Sequence, residues 1–323
     1  MKAVELTAWG PPDNFRIVDI PVPKPGPGEA LVNVHHAGMR WSEMGYRQAG
    51  KTLPPYIFGH EIAGVVAEVG EGVSQVKVGD RVYGKPDNGG YAEYCRIPAA
   101  RLAKIPDGVG TDEILVYIVN MVTAYLAVCE WAKVQDGETV LLHGASGGVG
   151  RLIVQICRRK FRDVTIIGVA GSDEKCASVI ANGADHCINR KTHDYVAEVM
   201  RITGGTKQQG GGVHVAFNGV AGDTHKTDLS VIRKLGRWVL YGSQGGVGTF
   251  DLYPYVYDSI TVMVFSMLSF PGTPAMDRCD AFLADWLKTE KLDKPTVVPI
   301  EDIVETTRAF EAGLTQGKIV YKI

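Results

Sequence analysis

The chain has 323 residues, 45% of them hydrophobic and 22% charged, with a formal net charge of -2. That length predicts two domains rather than a single core. The near-neutral balance, without a run of like charges, excludes the electrostatic footprint of a nucleic-acid binder, and no apolar run reads as long enough to cross a bilayer.

The N-terminal "MKAVELTAWG" alternates as a strand does and lacks the apolar core and cleavage site of a signal peptide, so a cytoplasmic protein is expected. "FRIVDIPVP" then runs into the breaker "KPGPGE", and "ALVNVHHAG", "IAGVVAEVG", "VKVGDRVYG" and "GGYAEYCRIP" follow as short strands between turns, the pattern of a small all-β barrel or sandwich. From about Thr111 the apolar spacing becomes helical through "ILVYIVNMVTAYLAVCEWA". Strands "TVLLHG", "VTIIGVA", "DHCIN", "VHVAFN", "RWVLYG" and "ITVMVFS" then alternate with helices in "GGVGRLIVQICRRK", "SDEKCASVIANG", "HDYVAEVMRITG" and "THKTDLSVIRKLG". Apolar strands alternating with helices predict a parallel sheet covered on both faces, the doubly wound α/β arrangement. The mixed tail, ending in "KIVYKI", is expected to fold back onto the first domain. The six cysteines are scattered without a C-x-x-C pair and read as free thiols.

"TVLLHGASGGVGRLIVQI" is a strand, a glycine-rich turn and an apolar helix, the context in which backbone amides and a helix N-terminus hold a pyrophosphate. Ser146, Gly147, Gly148, Val149 and Gly150 form the expected cradle, with Ala145 standing where the first glycine of G-x-G-x-x-G usually falls. At the tip of the next strand Ala170 replaces the acid that NAD enzymes place on the ribose hydroxyls. Ser172, Lys175 and Arg190 suit a 2′-phosphate instead, so NADPH is the expected cofactor, while Asp173 keeps NADH open. Asn218 and Gly219, and Gly242 and Ser243, follow strands at the same carboxyl edge.

In order along the chain, "GHEIAGVVAEVG", "VGDRV", "GGYAEY", "ASGGVG", "NGADHCIN" and "GKIVYKI" resemble the medium-chain dehydrogenase/reductase superfamily over essentially its full length. The resemblance implies a GroES-like β-rich catalytic domain over 1–113 and 267–323 and a Rossmann dinucleotide-binding domain over 114–266. It also implies a homodimer paired through "DSITVMVFSM", and cofactor contacts from the backbone of "VFSM", which contains Phe265. Zinc-dependent members place a histidine ligand at the position of His60 and cysteine ligands at those of Arg40 and Val119, so two of three protein ligands are absent and no metal is expected. His60 then reads as a hydrogen-bonded residue, with Glu61 or Glu43 paired to Arg40.

What remains is similar to the zinc-independent, zeta-crystallin-like quinone oxidoreductase branch with its enoyl reductases. That implies hydride transfer from NADPH to a small conjugated carbonyl or quinone. Candidate catalytic residues lie in "MRWSEMGY": Arg40 and Tyr46 as donors to the substrate oxygen and Trp41 as a wall, with Ser42 beside them and Tyr125 a weaker candidate. An alcohol dehydrogenase with a degenerate metal site, or a cofactor-binding protein with little catalysis, are the alternatives. The loops "QAGKTLPPYIF" and "SQGGVGTFDLYPYVYDS" are expected to shape the substrate pocket.

Overall fold

In the computed structural model, which describes residues 1–48, 53–246 and 248–323, the chain divides into two compact units. One comprises Met1–Val119 and Asp285–Ile323, the other Asn120–Ala284. The helix Pro274–Thr289 begins in the second unit, where Phe282 packs on Tyr125 with ring centroids 4.8 Å apart. Parts of both expected pocket loops, residues 49–52 and Val247, lie outside the described residues.

The first unit opens with strands β1 (Lys2–Leu6), β2 (Phe15–Asp19), β3 (Glu29–Gly38), β4 (Tyr56–Ile57), β5 (Ile62–Val69), β6 (Arg81–Gly84), β7 (Tyr94–Pro98) and β8 (Leu102–Lys104). β1 lies between β2 and β4 in a small antiparallel sheet. β3 pairs antiparallel with both β5 and β7, and its inward residues Val32, Val34 and Ala37 join Phe58, Ile62 and Val66 in one buried core. Close approach of backbones explains the glycines of this region. A Cβ on Gly64 would sit 2.0 Å from the Asn33 carbonyl oxygen, and one on Gly59, whose φ is +98°, would sit 2.2 Å from the Tyr91 nitrogen.

The second unit holds β9 (Thr139–His143), β10 (Thr165–Ala170), β11 (His186–Asn189), β12 (Val213–Asn218), β13 (Ile232–Leu240) and β14 (Thr261–Val264). They form one parallel sheet in the order β11-β10-β9-β12-β13-β14, the doubly wound order expected. Val140, Leu141 and Leu142 of the central β9 are all fully buried, as a strand covered on both faces requires. "THKTDLSVIRKLG" departs from its helical reading. Its helix ends at Val231, and Ile232 starts β13 so that both Ile232 and Trp238 are buried in the sheet core. Leu235, at φ +62°, makes the turn within that strand.

One expectation is corrected. The helical stretch Ile114–Trp131 is long and apolar enough to match a membrane span, and 72% of it is buried inside the protein, so its apolar surface is spent on packing. The chain closes in the first unit, where β15 (Thr296–Pro299) pairs parallel with β16 (Ile319–Lys322) and β16 pairs antiparallel with β3.

Under the carboxyl edge of the second sheet lies a buried carboxylate, Asp228, with no exposure. His143 at the end of β9 (2.5 Å) and Tyr195 (3.2 Å) meet Oδ1, while Asn218 at the end of β12 (2.5 Å) and the Trp238 indole (2.9 Å) donate to Oδ2. A dry carboxylate is tolerated because all four partners converge on it. Asp228→Ala is therefore expected to cost about 3–5 kcal/mol in urea unfolding, with Asp228→Asn losing less. An Asp228→Ala protein as stable as wild type would show that this network contributes nothing.

Candidate active site

β3 ends at Gly38, and the chain turns through Met39 and Arg40 into the helix Trp41–Gln48. β5 begins just after His60 and Glu61, so the two segments bring both carboxylates of the region together. Glu61 is fully buried and accepts a hydrogen bond from Lys318 Nζ at 2.5 Å. Lys318 also donates to the Met39 carbonyl at 3.0 Å. Arg40 stands farther off, its Nε 3.8 Å from Glu61 Oε1, and among the described residues neither atom has a hydrogen-bond partner. The expected Arg40–Glu61 pair is thus a longer contact beside a Lys318–Glu61 hydrogen-bonded one. Gly38 makes room for that pair, since a Cβ there would lie 2.5 Å from Glu61 Oε2 and 3.0 Å from Lys318 Nζ.

Glu43, 1% exposed, is the second carboxylate. Its Oε1 meets His60 Nδ1 at 2.8 Å, and its Oε2 accepts from the Tyr91 hydroxyl at 2.6 Å and the Arg40 backbone N–H at 3.2 Å. Burial pushes its pKa up, but the hydrogen bond and charge of His60, the Arg40 charge and the Tyr91 hydroxyl together hold it below the usual carboxylate range. The other ring nitrogen of His60, Nε2, meets the Tyr56 hydroxyl at 3.3 Å. Tyr46 lies with its ring centroid 5.4 Å from that of His60, Trp41 packs at 5.3 Å on Phe310, and Ser42 is exposed. Arg40 and Tyr46 are therefore neighbours of one buried Glu43–His60 pair, while Trp41 packs on Phe310. Tyr125 belongs to the core of the second unit, where burial raises its hydroxyl to about 12.

These residues do not fit a zinc ion. Val119 packs in an apolar cluster with Ile105, Ile114 and Ile118, Arg40 brings a positive charge, and both nitrogens of His60 are taken by Glu43 and Tyr56. Among the described residues no three His, Cys, Asp or Glu side chains group as metal ligands would.

In the second unit Gly144, at φ +67°, makes the tight turn after β9, so the turn glycine stands one position before Ala145. Gly147 caps the helix Gly148–Lys160, and Gly148 and Val149 form its half-buried first turn. Ser146 is buried, and a Cβ on Gly150 would lie 2.4 Å from the Gly144 carbonyl oxygen, so helix and strand pack at glycine distance. At the tip of β10, Gly171 lies beside two cations. A Cβ there would be 3.7 Å from an Arg190 guanidinium nitrogen and 3.8 Å from Lys191 Cε. Partial burial, then Lys191 and Arg190, lower the Lys175 pKa, which places all three charges in one cluster. Ser172 caps the helix Asp173–Ala181 by accepting from the Lys175 backbone N–H at 3.3 Å, and Asp173 accepts from Asn189 Nδ2 at 2.7 Å.

The Asn218 side chain is wholly used within its own turn. It donates to Thr224 (2.8 Å) and Asp228 and accepts from the Val220 and Ala221 N–H groups, both at 2.8 Å. Gly219 and Gly242 touch, a Cβ on Gly242 lying 2.4 Å from the Gly219 oxygen, and Ser243 is exposed beside them. Phe265 is buried and, with Trp131, Phe270, Ser266 and Arg278, lines a cavity of about 420 Å³.

Sequence reasoning missed Lys318, Tyr91, Tyr56 and Lys191. A signal existed for Lys318, because Glu61 opens an apolar strand and needs a cation, and "GKIVYKI" carries lysines into another apolar strand. Lys318→Met is expected to destabilise the protein by about 3–5 kcal/mol by leaving Glu61 uncompensated, and Glu61→Gln in the same chain to recover much of that loss. Equal unfolding midpoints for Lys318→Met and wild type would contradict the pairing.

Family models match twice: an alcohol dehydrogenase GroES-like domain over residues 26–107 and a zinc-binding dehydrogenase domain over 148–281. Human quinone oxidoreductase is 33% identical over 253 residues, covering 76% of this chain and 74% of that protein. The human synaptic vesicle membrane protein VAT-1 homolog is 33% identical over 247 residues, covering 75% of this chain, and the match spans only 61% of its length. The structure of Escherichia coli quinone oxidoreductase complexed with NADPH superposes with a TM-score of 0.91 at 25% identity, covering 100% of both chains. The chain belongs to the medium-chain dehydrogenase/reductase superfamily, in its zinc-independent quinone oxidoreductase branch.

Proposed function

We propose that this protein is an NADPH-dependent, metal-independent reductase of small conjugated carbonyls or quinones. The observation that carries the reading is the closed donor set around His60: Arg40 and Val119 at the positions of zinc ligands, and Glu43 and Tyr56 on the two ring nitrogens. A simple ketone leaves a localised alkoxide after hydride addition and calls for a Lewis acid. A quinone or enone spreads the new charge over a conjugated system, for which hydrogen-bond donors suffice. Relatives bearing the name quinone oxidoreductase support this substrate class.

NADPH, when bound, supplies the hydride. The residues of this chain that would hold it are the cradle Ser146 to Gly150, whose helix N-terminus and amides suit a pyrophosphate, and the cations Lys175, Arg190 and Lys191, which suit a 2′-phosphate. Asp173 is engaged by Asn189, which lessens its value as an acceptor for a ribose hydroxyl. Arg40 and Tyr46 are the proposed donors to the substrate oxygen, Arg40 by its incompletely satisfied guanidinium and Tyr46 by its place beside His60.

Cofactor binding and turnover test the reading together. NADPH is expected to bind more tightly than NADH, and Lys175→Ala or Lys191→Ala to narrow the gap by about tenfold or more. The NADPH-loaded protein is expected to oxidise its cofactor on mixing with a simple benzoquinone or a cyclic enone, and not with the saturated ketone. Equal affinities for NADPH and NADH would overturn the cofactor assignment. Tight NADPH binding without oxidation by either acceptor would overturn the enzymatic one.

A further inference from the structure

Three side chains of the first unit form a hydrogen-bonded line that leads outward from the interior. Glu43 is 1% exposed, His60 is 6% exposed and Tyr56 is half-buried. The contacts along it are Glu43 Oε1 to His60 Nδ1 (2.8 Å) and His60 Nε2 to the Tyr56 hydroxyl (3.3 Å), and the same hydroxyl lies 3.2 Å from the Asp87 carbonyl oxygen. We propose that Glu43, His60 and Tyr56 are a proton relay that delivers the proton completing reduction of the substrate, a role that rests on the function proposed above.

The inventory of donors and acceptors supports the assignment. Glu43 is held as a carboxylate, so it accepts at both oxygens, and the contact at Oε1 requires a proton on His60 Nδ1. Nε2 then has two satisfied states. In one, neutral His60 accepts the Tyr56 O–H. In the other, the imidazolium donates from Nε2 to the Tyr56 oxygen, and the Tyr56 proton turns to the Asp87 carbonyl. Passage between these states leaves no buried polar group unpaired, which is what a proton carrier needs and a purely structural histidine does not. Burial keeps the Tyr56 hydroxyl above its usual range, so it carries its proton at neutral pH.

The step balances. Hydride addition to the electron-poor carbon leaves an electron pair delocalised as an enolate or hydroquinone anion. That anion takes the Tyr56 proton as its new C–H or O–H bond forms and the tyrosine O–H bond breaks. Tyr56 recovers a proton from Nε2 of the imidazolium, and once the product has left, neutral His60, still bonded to Glu43, takes its next proton from solvent through the Tyr56 hydroxyl. Among the described residues, the titratable and charged groups facing this line are Arg40, Tyr46, Tyr91, Tyr321, Glu61 and Asp87, so the pH profile belongs to the cluster and not to His60 alone.

Tyr56→Phe is the informative variant, because it cuts the line while leaving all three hydrogen-bond partners of Glu43 in place. In cofactor-free protein with 15N-labelled histidine, NMR is expected to show His60 protonated at Nδ1, with proton exchange at Nε2 and an altered Nε2 signal in Tyr56→Phe. In turnover, Tyr56→Phe is expected to lower kcat about a hundredfold with unchanged NADPH affinity, unchanged single-turnover hydride transfer and an enlarged solvent isotope effect. Glu43→Gln, checked for a wild-type-like melting temperature, is expected to weaken the Nδ1 proton preference in the same spectrum. An unprotonated Nδ1, or a Tyr56→Phe protein with an unaltered His60 Nε2 signal and wild-type kcat, would overturn the relay. A wild-type protein that reduces no quinone or enone would sink the proposed function, while the NMR arm still decides whether the proton path exists.

Discussion

Two carboxylates that cannot reach water govern the first unit. Glu61 and Glu43 are essentially without exposure, and a buried, uncompensated charge costs more than almost any other single defect. The surrounding chain supplies the compensation. Lys318 is brought to Glu61 because the segment leading into β16 runs beside β3, so the C-terminal strand serves the charge as well as the sheet. Glu43 draws His60, the Tyr91 hydroxyl and the Arg40 backbone N–H, fixing the start of the helix Trp41–Gln48 at the end of β3. Gly38 is bare so that Lys318 can lie against Glu61.

The same arrangement removes the conditions for a metal. A catalytic zinc site needs about three ligands converging on an open position. Here the histidine that would serve turns Nδ1 to a carboxylate and Nε2 to a tyrosine, and the other two positions hold an arginine and a valine. The second unit solves a parallel problem with Asp228, whose four side-chain partners tie the ends of β9 and β12 together beneath the glycine turn. Elsewhere in the same unit stand a helix N-terminus framed by Gly144 and Gly150, and three cations near Gly171.

Much of this was legible before any coordinates. Period-two and period-3.6 patterning marked the strand-rich unit and the parallel sheet, and the strand, glycine turn and helix of "TVLLHGASGGVGRLIVQI" form as read because local geometry alone dictates them. The end of the helix at Val231 was not legible, since "SVIRKLG" continues a helical pattern until tertiary burial of Ile232 and Trp238 decides for the strand. The absence of a zinc ligand set could be read from Arg40 and Val119, but the partners that close the site could not. Lys318 and Tyr91 are far from Glu61 and Glu43 in the sequence, and only the pairing of β16 with β3 and the close approach of Gly59 to Tyr91 bring them in, while Tyr56 is four residues from His60 in β4 and only its hydroxyl's reach to the ring reveals it. Asn218 stands at the expected edge of the sheet, and its side chain turns inward to Asp228, which the sequence did not reveal.

The central claim is that hydrogen-bonded side chains, and not a metal, occupy the place where zinc sits in the wider superfamily. Elemental analysis of the purified protein, made alongside its quinone or enone reduction rate before and after exposure to a strong chelator, tests this directly. The account predicts far less than one zinc per chain and an unchanged rate. About one zinc per chain, removed by the chelator together with activity, would contradict it.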